Sequence, residues 1–205
     1  DGSKDKTHEV LWALKDQFPE QIEVLNMPQN SGKANAVRMG VRQVILQKNF
    51  LKVAYLDADL ATSLEECLRL SEYVKDEVLL TFGSRILKLD NQIKRKWYRF
   101  LLGRLVATAI SNTLKLSIYD SQCGCKIFEF QIAEKIFDEV FISKWLFDVE
   151  IFFRMIRLFG RSEIQNQIRE IPLRAWVDAP DSRVSPLYFF SLWWDLYLIS
   201  KHYKR

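Results

Sequence analysis

Lys52-Val53-Ala54-Tyr55-Leu56-Asp57-Ala58-Asp59 is the stretch on which the reading of this chain turns. A short apolar centre, Val53-Ala54-Tyr55, runs straight into a turn that carries two carboxylates one residue apart. An apolar run of that length, bounded by turn residues, reads as a strand. Ser63 follows, and Glu66 stands three residues later. That is the spacing of a capping box, so a helix is expected from Leu64. Val78 to Phe82 reads as the next strand, closing at Gly83-Ser84-Arg85. Upstream, Ile22 to Leu25 reads as a short strand. Ser31-Gly32-Lys33 then opens a helix whose apolar face is Ala34, Val37, Val41, Val44 and Ile45. Strands alternating with helices argue for an α/β fold, a mainly parallel sheet flanked by helices.

The second half is less regular. Lys94 to Leu116 reads as a long helix, Gly124 to Phe128 as a strand, and Ile132 to Phe137 as a short helix. Phe147 to Phe159 is a helix with apolar residues nearly all round, so it is expected to be buried. Glu163 to Ile171 and Leu173 to Val177 read as strands, and an aromatic helix runs from Pro186 to about Tyr203. A parallel sheet also wants a strand and a helix before Asp1. The expectation is therefore a chain from which the first strand is missing, with any membrane anchor outside it.

Composition narrows the classes. A length of 205 residues suits one domain, and 48% apolar with 27% charged residues excludes a disordered or low-complexity chain. No run reaches the ~18 apolar residues of a spanning helix, and the polar start is no signal peptide. A net charge of +4 is mild and gives no sign of nucleic acid as a partner. The three cysteines are an odd number without framework spacing, which suggests reduced thiols in a cytosolic setting. Cys123-Gly124-Cys125 lacks the two further ligands that zinc would need, since the only histidines are His8 and His202.

Four stretches bear on chemistry. Asp57 and Asp59 sit where an α/β sheet binds its ligands, at the C-terminal end of a strand. Two carboxylates so placed suit a hard divalent cation; the plainer alternative is an acidic turn. Asn30-Ser31-Gly32-Lys33 puts a glycine and a cation at a helix start, which suits a phosphate or simply a solvated helix end. It lacks the glycine spacing of a Walker motif. From Arg85 to Arg104 run seven basic residues, Arg85, Lys88, Lys94, Arg95, Lys96, Arg99 and Arg104, against one acid, Asp90. Arg95 and Arg99 share a helical face, so the stretch is a solvated surface or a site for phosphate or anionic lipid. In the last helix, Tyr188, Phe189, Phe190, Trp193, Trp194 and Tyr197 stand beside Lys201, Lys204 and Arg205. Aromatics next to cations suit a membrane interface, and a helix packed on the core is the alternative.

Taken in order, these motifs resemble the family-2 glycosyltransferases of the GT-A (nucleotide-diphospho-sugar transferase) fold. The resemblance runs through Asp1-Gly2-Ser3-Lys4-Asp5-Lys6-Thr7, Asn30-Ser31-Gly32-Lys33 with Ala36-Val37-Arg38-x-Gly40, Asp57-Ala58-Asp59 and Gly83-Ser84-Arg85. It continues through Arg95 and Arg99, Asp120-x-Gln122-Cys123-Gly124-x-Lys126-x-Phe128, Trp145-x-Phe147-Asp148-Val149-Glu150 and Ser182-Arg183-Val184. Within the family the chain looks like the branch that transfers a sugar to a polyprenyl or dolichyl phosphate.

The resemblance implies roles. Asp1, Lys33, Asp57 and Arg85 would bind the nucleotide sugar, a UDP- or GDP-sugar. Asp57 and Asp59 would hold Mg2+ or Mn2+ and serve catalysis. Arg85, Arg95, Arg99, Gln122 and Lys126 would bind the acceptor phosphate. Asp148 and Glu150 stand where relatives carry acidic active-site residues. Residues 1–115 would form the nucleotide-sugar part, 116–185 the acceptor part, and 186–205 an amphipathic interfacial helix. Ala61, where mannosyl-transferring relatives tend to carry Gln, favours a glucosyl enzyme. The implied activity is inverting transfer of a hexose to a polyprenyl phosphate, by a protein peripheral to the cytoplasmic face of a membrane. The alternatives are a family-2 enzyme that extends a saccharide or glycolipid, with Asp148 or Glu150 as base, and a non-catalytic membrane-surface binding module.

Overall fold

A computed structural model describes residues 1–47, 50–94, 97–177 and 186–204. In chain order the elements are α1 (Thr7–Gln17), α2 (Lys33–Gln47), β1 (Lys52–Leu56), α3 (Leu64–Ser71), β2 (Leu80–Ser84), β3 (Gln92–Lys94) and α4 (Trp97–Leu114). Then follow β4 (Cys125–Glu129), α5 (Phe130–Ile136), α6 (Phe147–Gln167), β5 (Ile168–Pro172), β6 (Ala175–Val177) and α7 (Pro186–Tyr203).

The apolar centre of β1 forms the expected strand because Val53 and Tyr55 alternate inward onto the core. The main sheet has the order β1-β4-β2-β5. Strands β1, β2 and β5 run in one direction, and β4 is inserted antiparallel between β1 and β2. The sheet is therefore mixed rather than mainly parallel in its pairing. The antiparallel pairing places Leu56 opposite Cys125, so Asp57 faces Gly124 across the strand ends. It also interleaves strands from before and after residue 115 in one sheet. A second sheet pairs β3 with β6 in parallel.

Helix α3 begins at Leu64 as its sequence predicts, because the Ser63 hydroxyl accepts the Glu66 N–H at 3.2 Å. Glu66 does not complete the capping box with a return bond. Its carboxylate is held instead by Arg69. Helix α6 is buried from Phe147 to Ile156, as its all-round apolar pattern requires. Its Phe152 meets Phe82 of β2 edge to face at 5.2 Å, and Phe137 packs against Phe128 at 5.3 Å. Each fully buried ring contributes roughly 1.5–3 kcal/mol relative to exposure.

Several expectations change. Residues 22–25 form no strand, because among the described residues nothing pairs with them. Residues 163–167 are helical: α6 breaks at Gly160, whose φ of 78° lies in the left-handed region, then resumes before β5. Lys94 ends β3 rather than opening a helix, and α4 starts at Trp97. Helix α1 went unread in the sequence. Its apolar Val10, Leu11 and Leu14 are spaced for a helix, yet none of its residues is buried. Val78 and Leu79 precede β2, which continues to Ser84.

Candidate active site

The C-terminal ends of β1 and β2 and the N-terminal end of β4 meet at one edge of the sheet. There a cleft of about 70 Å3 is lined by Asp57, Asp59, Ala61, Thr62, Arg85, Gly124 and Trp176. Asp57 follows β1 directly and Arg85 follows β2 directly, so strand direction puts the acid and the base on the same wall.

Each side chain has a physical reason for its position. The Asp57 N–H donates to the Gly124 carbonyl at 2.8 Å, and its carboxylate lies over Gly124 itself. A Cβ at residue 124 would fall 2.0 Å from Asp57 Oδ2, so only glycine leaves room there. Gly124→Ala is expected to lower stability by roughly 1–3 kcal/mol through overpacking. Chemical denaturation checks this, and an unchanged midpoint would show that the Asp57 carboxylate moves aside freely. The loop after β1 turns at Leu60, whose φ is 51°, while Asp59 Oδ1 accepts the Ala61 N–H at 3.0 Å. Lys33 donates to Asp57 Oδ1 at 2.6 Å. The start of α2 therefore lies against the acidic pair, with the opposite sign of charge.

Arg85 is held by a two-pronged pair with Asp120: Nε to Oδ2 at 2.6 Å and Nη2 to Oδ1 at 2.7 Å. Its backbone N–H adds a third bond to Oδ2 at 3.0 Å. The guanidinium also lies over the Trp176 ring at 5.3 Å. Burial acts to lower its pKa, but the Asp120 carboxylate prevails and leaves it above the ordinary value. Arg85 thus stays charged at the rim of the cleft. Asp120 is in turn set by Glu170 of β5, whose two oxygens accept the N–H groups of Tyr119 and Asp120 at 2.8 and 2.7 Å.

Asp1 lies against the chain that leads into α2. Its carboxylate accepts the Ser31 N–H at 2.7 Å, the Gly32 N–H at 3.0 Å and the Ser31 hydroxyl at 3.1 Å. It therefore caps the N-terminus of α2, which the helix dipole favours. Gly2, with φ of 59°, lets the chain pass so close to Asn30 that a Cβ would lie 2.4 Å from its backbone nitrogen.

Three other site candidates are placed away from the cleft. Lys126 is 0% exposed. Its ammonium donates to the Ser121 and Cys123 carbonyls at 2.9 and 2.8 Å and to the Asp148 carboxylate. Asp148 also accepts the Tyr55 hydroxyl and is buried. Glu150 is buried as well, and it accepts the N–H groups of Ile142 and Ser143 at 3.0 and 2.8 Å. Burial raises the Glu150 pKa. Neither acid lines the cleft, because the packing of α6 that makes it a core helix also encloses them. In this structure both carboxylates are occupied by bonds from within the chain.

Gln122 stands in the loop beside Asp120, and its buried amide nitrogen has no hydrogen-bond partner among the described residues. Arg99 lies in the first turn of α4, its side chain outside the described set, and Arg95 and Ser182-Arg183-Val184 lie outside the described residues. Asp120, Glu170, Thr62 and Trp176 were not singled out for the site from the sequence. The quoted Asp120-x-Gln122 stretch holds one of them; Glu170 and Trp176 arrive through strand pairing, and Thr62 lies in the loop between β1 and α3.

Two carboxylates are the donor set that the cleft offers a divalent cation. Asp57 and Asp59 both line it, their oxygens are hard, and among the described residues no third acidic, His or Cys side chain joins them. That set fits Mg2+ or Mn2+ completed by diphosphate and water oxygens, as such ions are usually held beside nucleotides. It does not fit an all-protein cage.

The model of glycosyl transferase family 2 matches residues 1–137. The chain belongs to that family. Among curated relatives, a dolichyl-phosphate beta-glucosyltransferase of Dictyostelium discoideum is 29% identical over 91% of this chain and 56% of its own length. The protein of the same name from Homo sapiens is 27% identical over 92% of this chain and 57% of its own. The one from Saccharomyces cerevisiae is 29% identical over 90% and 57%. The family-2 chain thus spans somewhat more than half the length of these relatives. Among solved structures, a glucosyl-3-phosphoglycerate synthase from Mycobacterium tuberculosis in complex with phosphoglyceric acid superposes with a TM-score of 0.62 at 13% identity. That match covers 98% of this chain and 66% of the other. The same enzyme with Mn2+, UDP-glucose and phosphoglyceric acid gives 0.60 at 14%, over 98% and 66%. At such identity the likeness shows the fold, the GT-A fold that the motif order implies.

Proposed function

We propose that this family-2 chain is the catalytic domain of a metal-dependent, inverting glycosyltransferase. It moves a hexose, by preference glucose, from a nucleotide sugar to the phosphate of a polyprenol such as dolichol at a membrane surface. The observation that carries the reading is the convergence of Asp57, Asp59 and Arg85 on one cleft at the C-terminal strand ends. The printed names of the curated relatives support the acceptor and the sugar, and the complex with Mn2+ and UDP-glucose supports the donor and the ion.

Asp57 and Asp59 would hold Mg2+ or Mn2+ against the donor diphosphate. The bound cation supplies neutralisation of the charge that develops on the diphosphate as it leaves. Lys33, 2.6 Å from Asp57, adds a second positive charge on that side. Arg85, oriented by Asp120, presents its remaining N–H groups to phosphate oxygens. In the transfer an acceptor phosphate oxygen bonds to the sugar C1 as the bond from C1 to the diphosphate oxygen breaks, which inverts the anomeric centre.

This chemistry needs cations rather than a strong base. A phosphate monoester, with a second pKa near 6, is already largely ionised at neutral pH. A sugar hydroxyl would require a general base. Asp148 and Glu150, the acids considered for that task, are buried and bonded within the chain. The observation therefore favours a phosphate acceptor over a saccharide.

The test is a transfer assay with a panel of nucleotide sugars and a short polyprenyl phosphate, with and without Mn2+. A metal-dependent prenyl-phosphate sugar of inverted configuration is expected. Retained configuration, or product only with a saccharide acceptor, overturns the proposal.

Helix α7 supports membrane contact. Leu192, Leu196 and Ile199 form its buried face, while Trp193, Trp194 and Tyr197 are exposed at 42%, 62% and 52%. Among the described residues no helix is long and apolar enough to cross a membrane. An interfacial helix with aromatics outward is the remaining way for α7 to reach a bilayer. Trp193→Ala with Trp194→Ala is expected to reduce co-sedimentation with liposomes by ~10-fold or more, given the apolar area removed. Unchanged sedimentation would show that another surface makes the contact.

A further inference from the structure

A second cleft lies between α3 and the chain that links β5 to β6, and it shares no lining residue with the first. It encloses about 260 Å3. Arg69, Lys88 and Arg174 line it with Tyr73, Asp90 and the apolar stretch Ile171–Leu173.

Its walls are fixed by bonds that have nothing to do with a ligand. The Glu66 carboxylate takes two bonds from Arg69, at 2.9 and 2.8 Å, and the Arg174 backbone N–H at 2.9 Å. Arg69 also donates to the Pro172 carbonyl at 2.9 Å. On the opposite rim, Asn91 accepts the Lys88 N–H at 2.9 Å and donates to the Ile86 and Leu173 carbonyls at 2.7 and 3.1 Å. The rim that bears Lys88 is thereby tied to the strand end that bears Arg174.

The charges on these walls do not cancel. Glu66 pairs with Arg69 and also attracts Arg174, and Asp90 is the one acid on the rim among the described residues, so three cations face two carboxylates. Among the described residues, neither the Lys88 ammonium nor the Arg174 guanidinium has a hydrogen bond or an ion pair. Two cations held to one concavity repel each other, and an anion between them removes that repulsion. A planar guanidinium beside a mobile ammonium is the donor pair that suits phosphoryl oxygens. The Tyr73 ring and the apolar floor offer contact to a carbon body attached to the phosphoryl group.

We infer that this cleft is a second anion site, in which Lys88 and Arg174 take the phosphoryl group of a ligand. The site is independent of the transferase reading. The phosphoryl group belongs either to a soluble phosphorylated molecule or to an anionic lipid headgroup, and the chemistry of capture is the same for both.

The first arm of the test titrates the protein with inorganic phosphate while the backbone amide of Asn91 is followed by NMR, with Gly124 as reporter of the first cleft. A saturable shift at Asn91 is expected. Lys88→Ala with Arg174→Ala should weaken it ~10-fold or more, since two charge-assisted contacts are lost. Lys88→Arg with Arg174→Lys should restore it. Both side chains are exposed and unpaired, so melting temperature should not change. Binding unaltered in the double alanine variant, or shifts confined to Gly124, overturns the inference. The second arm uses phosphatidylcholine vesicles with and without phosphatidate. Sedimentation that depends on Lys88 and Arg174 assigns the site to a lipid headgroup. Phosphate binding without that dependence assigns it to a soluble ligand.

Discussion

Replacing Asp59 with alanine is expected to lower sugar transfer by at least about 10²-fold, the usual cost of removing a preorganised charge partner from a developing transition state. Stability should hardly move. Asp59 is exposed, and among the described residues the one bond that it makes is with the Ala61 N–H at 3.0 Å. Losing an exposed turn bond of that kind costs roughly 1 kcal/mol or less. Loss of turnover with a preserved melting temperature would identify the carboxylate as functional. Turnover near that of the parent protein would remove Asp59 from the metal-binding pair and leave the cleft without a cation site. Asp57→Ala is a poorer test, because Asp57 also pairs with Lys33 and packs on Gly124.

Lys126→Met is expected to have the largest effect on stability. It would remove an ammonium that holds two loop carbonyls and the Asp148 carboxylate, leaving that carboxylate buried with the Tyr55 hydroxyl alone. Breaking a buried pair from one side costs roughly 3–5 kcal/mol. For a chain of this size the melting temperature should fall by about 10 °C. Removing the second charge with Asp148→Leu should recover a large part of the loss, because the penalty belongs to the unpaired carboxylate. Thermal denaturation of the two variants decides the matter. An unchanged melting temperature in Lys126→Met would mean that water reaches Asp148. Transfer should fall along with stability, since the loop that Lys126 ties down carries both Asp120 and Gly124.

Much of this architecture is legible residue by residue. The run Val53-Ala54-Tyr55 had to be a strand, and Ser63 had to start a helix, because both signals are local. Asp57 and Asp59 followed at a strand end, where α/β proteins bind ligands. The errors have a common origin. Short stretches such as 22–25 and 163–167 do not by themselves separate a strand from a helix or a loop. A strand exists only if another strand pairs with it, and pairing is not a local property. The same limit hid the antiparallel insertion of β4, and with it the close approach of Gly124 to Asp57.

The sequence by itself determined the strand β1 with the acidic pair at its end, the helix that follows from Ser63, and the family that the motifs resemble. Those follow from periodicity, capping and residue chemistry along the chain. Only the tertiary structure decided which charged residues line the cleft. Asp148, Glu150 and Lys126 have the residue types of an active site, yet the packing of α6 on the sheet takes them out of water and commits their hydrogen bonds inward. Arg85 has the same type of charge as Lys126, and it remains at the rim of a cleft because β2 ends there. Burial and the number of committed hydrogen bonds separate the two, and both are set by contacts between residues distant in the chain.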